Sequence, residues 1–267
     1  MENLWVAGSC SVIGASHRRR RLAINQDAAR VSTDQRRIAV ADGHGSDEHL
    51  LSDLGARYAV DLAMTGDPTT LPRRWREGLL ASIGELDRAI EERVPLVDET
   101  QAASISAGVR QDPHRAAGST LLFAGAGLER ADQVLFYQIG DGRILVLDQD
   151  GVASLPLAPD HCAGLGPLTS SLCLDDADRY ARLQAWTGPA PIAAILLMTD
   201  GFSDGYTDAQ LGDISRGLLA FAREQGLARL LVELPGDLDR ISEQGLGDDT
   251  TIALMIRRDL LPAGDTP

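Results

Sequence analysis

Five aspartates in this sequence stand where a short apolar run gives out: Asp27 in NQDA, Asp42 in VADGHG, Asp141 in IGDGR, Asp200 in MTDGFSD and Asp248 in LGDDTT. Glycine directly follows Asp42, Asp141 and Asp200. A carboxylate at a strand end can point into a shared crevice while the strand fixes its place, and the glycine lets backbone or ligand come close. Carboxylates converging from several strands repel one another, so the arrangement is tolerable only with cations between them. An all-oxygen ligand set selects hard ions such as Mg2+ or Mn2+. Asp204, four residues beyond Asp200, adds a sixth acid near the same place, with the first turn of a helix as its plainer alternative. Taken singly, each motif is more simply turn or cap chemistry, because Asp-Gly pairs suit tight turns. Five in this order weigh more than any one.

Strands must carry these acids. Short runs rich in Val and Ile, bounded by Gly or Asp, predict strands at about 4–13, 26–32, 36–42, 118–126, 133–139, 143–149, 192–199 and 250–257. The clearest are RIAVAD (37–42), VLFYQI (134–139), RILVLD (143–148), AAILLM (193–198) and TTIALMI (250–256). The IGDGR turn between two of them predicts an antiparallel hairpin. Helices are expected in two pairs. One runs over 46–64, capped by Ser46 with an apolar face of Leu51, Leu54, Tyr58 and Leu62. The next runs from Pro72 to Arg93, with Trp75, Leu79, Ile83, Leu86 and Ile90 at helical spacing. The second pair covers about 207–225 and 226–244, the last broken near Pro235 and Gly236. Segments 95–117 and 151–191 show no clear period, and the second is long enough for a functional loop region. Helix pairs between groups of strands argue for antiparallel α+β architecture over a doubly wound sheet.

Composition narrows the partners. The 267 residues carry a formal net charge of −14, and every basic side chain other than histidine is arginine. Such a surface disfavours nucleic acid and anionic lipid, which require phosphate neutralisation; a metal nuclease is disfavoured on the same ground. A phosphorylated substrate would have to meet a strong local positive charge, and a bound cation is the obvious source. No apolar run approaches the roughly 20 residues of a membrane span. The N-terminus carries Glu2 and no basic stretch, so no secretion signal is expected. Three scattered cysteines, Cys10, Cys162 and Cys173, suit a reducing cytoplasm.

The ordered set NQDA, VADGHG, GST, IGDGR, TDGFSD and GDDTT resembles that of the metal-dependent protein phosphatases of the 2C type, over about residues 14 to 256. The resemblance implies a four-layer α-β-β-α sandwich, two antiparallel sheets flanked by helix pairs. It implies a phosphatase domain over 1–258, with 151–191 as a flap-like segment governing substrate choice, and a C-terminal tail over 259–267. The implied activity is hydrolysis of phosphoserine or phosphothreonine by water bridging two Mg2+ or Mn2+ ions, attacking in line with no phosphoenzyme. Carried over by motif, Asp42 bridges both ions and the Gly43 carbonyl touches one. Asp200 and Asp248 hold the other, Asp27 orients a bound water, and Asp141 and Asp204 match a third metal position. His44 matches a general acid toward the leaving alkoxide, with a surface turn histidine as the alternative. Gly118, Ser119 and Thr120 match a structural strand start. A phosphoprotein, the product of a bacterial Ser/Thr kinase, is the implied partner, and a monomer is expected.

The chain departs from the family in three places. Gln26 replaces the usual glutamate before the first aspartate, so a metal held there loses one negative charge. The phosphate-binding arginine position holds Leu22; Arg21, one residue earlier in the run RRRR (18–21), serves only if a bulge corrects its register. His17 is the rival phosphate contact, and a solvated basic run is the bland alternative. In GDDTT, Asp248 aligns as ligand and Asp249 replaces the usual asparagine, leaving Asp249 as a backup ligand. Cys173 and Arg179 fit a C-x5-R spacing, but the intervening LDDAD would repel phosphate. A catalytically weak relative that binds phosphoproteins is the remaining alternative.

Overall fold

The computed structural model describes residues 4–19, 24–128, 133–160, 169–188 and 190–265. Among these, ten strands form: β1 (Trp5–Val12), β2 (Ala28–Val31), β3 (Arg37–Ala41), β4 (Leu121–Ala126), β5 (Val134–Ile139), β6 (Arg143–Asp148), β7 (Ala153–Ser154), β8 (Arg182–Ala185), β9 (Ile192–Met198) and β10 (Thr250–Arg257). The helices are α1 (Ala15–Arg19), α2 (Ser52–Ala63), α3 (Leu71–Ile83), α4 (Leu86–Arg93), α5 (Ala102–Gln111), α6 (Pro113–Ala116), α7 (Asp200–Ser203), α8 (Asp208–Gln225) and α9 (Leu227–Gln244). Two five-stranded sheets result, in the orders β1-β10-β9-β6-β7 and β2-β3-β4-β5-β8, with every strand pair antiparallel.

Three apolar layers explain why the strands read as unbroken runs. Ile38, Val40, Leu122, Ala124, Ile195, Leu197, Ala253 and Met255 pack between the sheets. Their neighbours face outward: Ala39, Ala41, Leu121 and Phe123 meet α2 and α3, while Leu196, Met198, Ile252 and Leu254 meet α8 and α9. A strand covered on both faces needs apolar residues at every position. The expected four-layer α+β sandwich is the observed one.

Several local expectations are corrected. The IGDGR turn is no hairpin: β5 lies in one sheet and β6 in the other, so the turn carries the chain across the sandwich. Gly140 and Gly142, at φ +94° and +75°, make that crossing, and a side chain on Gly142 would meet the Met198 carbonyl at 2.6 Å. Turn composition fixes a reversal but not which sheet receives the next strand. The 46–64 helix starts later, as a 3-10 turn (Asp47–His49) and then α2, and Ser46 makes no side-chain cap. Its buried face is Ala56, Ala59, Val60 and Ala63, not the larger Leu54, Tyr58 and Leu62, which are half-buried at its flank. Small residues allow closer approach to β3. The 72–93 helix is two helices, α3 and α4, divided at Gly84.

Pro235 does not break α9. Leu227, Leu230, Leu234 and Leu238 are all buried on one stripe. Each contributes about 1.5–3 kcal/mol on burial, which together exceeds the roughly 3 kcal/mol a mid-helix proline costs. The aperiodic 95–117 holds α5 and α6, and 151–191 holds β7 and β8. Residues 259–265 fold back: Asp265 accepts hydrogen bonds from the backbone N–H groups of Leu227 (2.6 Å) and Ala228 (3.3 Å), capping α9. Among the described residues, no helix is long and apolar enough to cross a membrane.

Candidate metal centre

The acids meet at one end of the sandwich because strand pairing puts them there. Asp27 precedes β2 and Asp42 follows β3, and the pairing of Ala28 with Ala41 sets them side by side. Asp200 follows β9 and opens α7, Asp248 lies two residues before β10, and the pairing of Met198 with Ile252 joins those ends. Asp141 sits in the crossing between the sheets. Thus one sheet supplies Asp27 and Asp42, and the other supplies Asp200 and Asp248.

Carboxylate oxygens of Asp42, Asp141 and Asp200 lie within 4.8 Å of one another, and all three residues are half-buried. Threonines fix the backbone behind them. Asp42 N–H donates to Thr120 Oγ1 (3.0 Å) and its carbonyl accepts from Thr120 N–H (2.8 Å). Asp141 N–H donates to Thr169 Oγ1 (3.1 Å), and the Gln138 amide donates to the Asp141 carbonyl (2.9 Å). Thr199 Oγ1 donates to Asp27 Oδ2 (2.8 Å). Sequence reasoning missed Thr169 and Thr199; the one available signal for Thr199 is its place directly before Asp200.

The charges are mutually unfavourable. Burial, then Asp200, Asp27, Asp248 and Asp141, hold the Asp42 carboxyl well above the usual carboxylate range. Burial and the Asp141, Asp248 and Asp204 charges push Asp200 up to about 7. Burial and then Asp249 push Asp27 up to about 8. Burial leads the raising of Asp141 and of Asp248 as well. Buried acids gathered in one crevice with raised pKa values mark candidate functional positions. Asp27 Oδ1 is buried and has no hydrogen-bond partner among the described residues. Clustered hard oxygen donors and an orphaned carboxylate oxygen fit a Mg2+- or Mn2+-type site.

Other expected residues are placed as follows. Gly43 is pressed against the Gln26 and Ser52 carbonyls, each 2.8 Å from where a Cβ would sit. The Gln26 amide N–H2 donates to Ser52 Oγ (2.8 Å) and to the His44 carbonyl (3.3 Å). Asp204 ends α7, its N–H donating to the Asp200 carbonyl (2.8 Å). The His44 ring packs edge-on against His49, with centroids 4.7 Å apart, and burial, then His49, pushes its pKa down to about 4. His17 is buried with Nδ1 2.9 Å from Asp249 Oδ1. Arg21 lies outside the described residues. The Cys173 thiol is pushed up by burial, and Arg179 is exposed toward Asp176, so the C-x5-R pair forms no phosphate cradle.

The family model for protein phosphatase 2C matches residues 13–234, well over half of the chain. No curated protein matches significantly in sequence. PppA, a key regulatory component of the T6SS in Pseudomonas aeruginosa, is similar at TM-score 0.60 and 19% identity, covering 95% of this chain and 97% of that one. The catalytic domain of the serine/threonine protein phosphatase PstP, solved with two manganese ions, is similar at TM-score 0.55 and 18% identity, covering 94% and 97%. The Mycobacterium tuberculosis serine/threonine phosphatase PstP/Ppp is similar at TM-score 0.53 and 20% identity, covering 95% and 98%. At these identities the likeness establishes the fold.

Proposed function

We propose that this chain, which belongs to the protein phosphatase 2C family, is a metal-dependent phosphatase acting on phosphoserine or phosphothreonine in proteins. The convergence of Asp42, Asp141 and Asp200 oxygens within 4.8 Å carries this reading. Asp42, Asp200 and Asp248, with the Gly43 carbonyl, would hold two Mg2+ or Mn2+ ions, and Asp141 with Asp204 would offer a third position. The similar PstP domain binds two manganese ions, which supports the pair. When bound there, such ions would lower the pKa of a water and offset phosphoryl charge.

The remaining steps fall to the chain itself. Asp27, whose Oδ1 has no partner among the described residues, would accept a water hydrogen there and so orient the attacking oxygen. Thr199 keeps the other carboxylate oxygen fixed. His44 is neutral at pH 7 as it stands. To act as general acid His44 must first take a proton from solvent as the phosphorylated substrate binds, and the resulting imidazolium then gives that proton to the departing serine oxygen. The substrate is a phosphoprotein of the kind a Ser/Thr kinase produces.

The test is hydrolysis of p-nitrophenyl phosphate and of a phosphoserine peptide with Mn2+. The wild type is expected to turn over both and to stop in EDTA; Asp42→Asn and Asp200→Asn are expected to be inactive while folded. Equal wild-type rates with Mn2+ and with EDTA would overturn the proposal.

A further inference from the structure

We propose that Asp249 is a positioning residue that supplies, from behind the crevice, the negative charge that Gln26 does not. The inference rests on the metal reading above and concerns how this chain tunes it.

Asp249 is 2% exposed and meets three donors. Its Oδ1 accepts from the Gly14 backbone N–H (2.6 Å) and from His17 Nδ1 (2.9 Å), and its Oδ2 accepts from the Gln26 backbone N–H (2.6 Å). Because both oxygens act as acceptors, this donor set requires a carboxylate. Asparagine would offer one acceptor oxygen and one NH2, so an NH2 would face the N–H of either Gly14 or Gln26. A buried donor left facing a donor is destabilising, because neither finds the acceptor that water would have given it. The departure from asparagine at 249 is thus dictated by the loop that residue 249 holds.

The departure at 26 follows from the same geometry. The Gln26 amide donates to Ser52 Oγ and to the His44 carbonyl. A carboxylate at 26 has no N–H to give either group. Negative charge missing from residue 26 appears instead at Asp249, which grips the backbone of Gln26 next to Asp27 and adjoins Asp248. The Asp249 N–H also donates to Asp248 Oδ1 (2.9 Å), fixing that carboxylate. After burial, the Asp249 charge is the largest influence raising the Asp27 carboxyl. His17 is then an anchor for Asp249.

Mn2+ binding to the whole chain, followed by electron paramagnetic resonance of free Mn2+, tests this without turnover. Asp249→Asn is expected to weaken Mn2+ binding about 10-fold, the scale on which outer partners of metal ligands act. Asp249→Glu keeps the charge and is expected to hold affinity within about 3-fold, although its displaced oxygens lower the thermal midpoint. The pair Gln26→Glu with Asp249→Asn returns the charge to residue 26 and is expected to recover most of the lost affinity. Unchanged affinity in Asp249→Asn, or no recovery in the pair, overturns the charge role. Should Asp249→Asn not fold, a 10-fold loss in Asp249→Glu overturns it equally. A wild type that binds no Mn2+ overturns the metal reading itself and this inference with it.

Discussion

Two aspartates eleven positions apart, the half-buried Asp42 and the buried Asp53, show what a partner does for a carboxylate. Asp53 on α2 is 2% exposed, and Arg93 from α4 grips it in a fork, Nε to Oδ1 and Nη2 to Oδ2, each at 2.8 Å. Asp42 is held only through its backbone, among four other acids, and its side chain accepts no hydrogen bond among the described residues. One acid is complete within the protein. The other meets no arginine among the described residues, which under the proposed function leaves its place open to a cation. Bidentate guanidinium pairs are geometrically specific, so the contrast sets a structural acid beside a proposed ligand.

The largest way to break the comparison is to neutralise Asp42. Asp42→Asn is expected to lower Mn2+-dependent turnover by about a thousandfold or more, several kcal/mol of transition-state stabilisation, while raising the thermal midpoint of the protein in EDTA. A lowered midpoint would mean that Asp42 is structural after all. Neutralising the Asp53 partner should do the reverse. Arg93→Ala strands a buried carboxylate and is expected to cost about 3–5 kcal/mol in urea unfolding, with turnover per folded molecule preserved.

The next effect is smaller and depends on pH. Asp200 and Asp27, raised to about 7 and about 8, bind protons in the folded chain that the unfolded chain has released above pH 4. Metal-free stability is therefore expected to fall as pH rises from 4 to 8. Saturating Mn2+ should flatten that slope in thermal melts, and a parallel slope with metal would contradict the comparison. Smallest is Gln26→Glu, expected to lower the Mn2+ midpoint by up to about 10-fold; an unchanged or higher midpoint would count against the account of residue 26.

Much of this contrast was legible in the chain. RIAVAD and AAILLM are strands because both faces are covered, and continuous apolar runs advertise that. Asp42, Asp141 and Asp200 stood out because each ends such a run before glycine. The Asp53–Arg93 fork did not, because its partners lie forty residues apart and nothing local couples them. The β5–β6 crossing was misread because Gly140 and Gly142 suit a reversal of either kind. Helix α5 escaped because only Val109 among its residues is buried, leaving no stripe to detect. Gln26 and Asp249 were each visible as departures, yet only the three donors around Asp249 connect them.

The passage of the chain from β5 to β6 makes Asp141 a stitch between the two sheets, with aspartates of one sheet on one side and of the other sheet opposite. Any slip of one layer over the other must change the spacing of the carboxylates. A divalent ion seated there would act as a rivet through both layers. Its removal should therefore quicken hydrogen exchange in the middle of β4 and β9, far from the crevice, and not only in the loops that touch the ion.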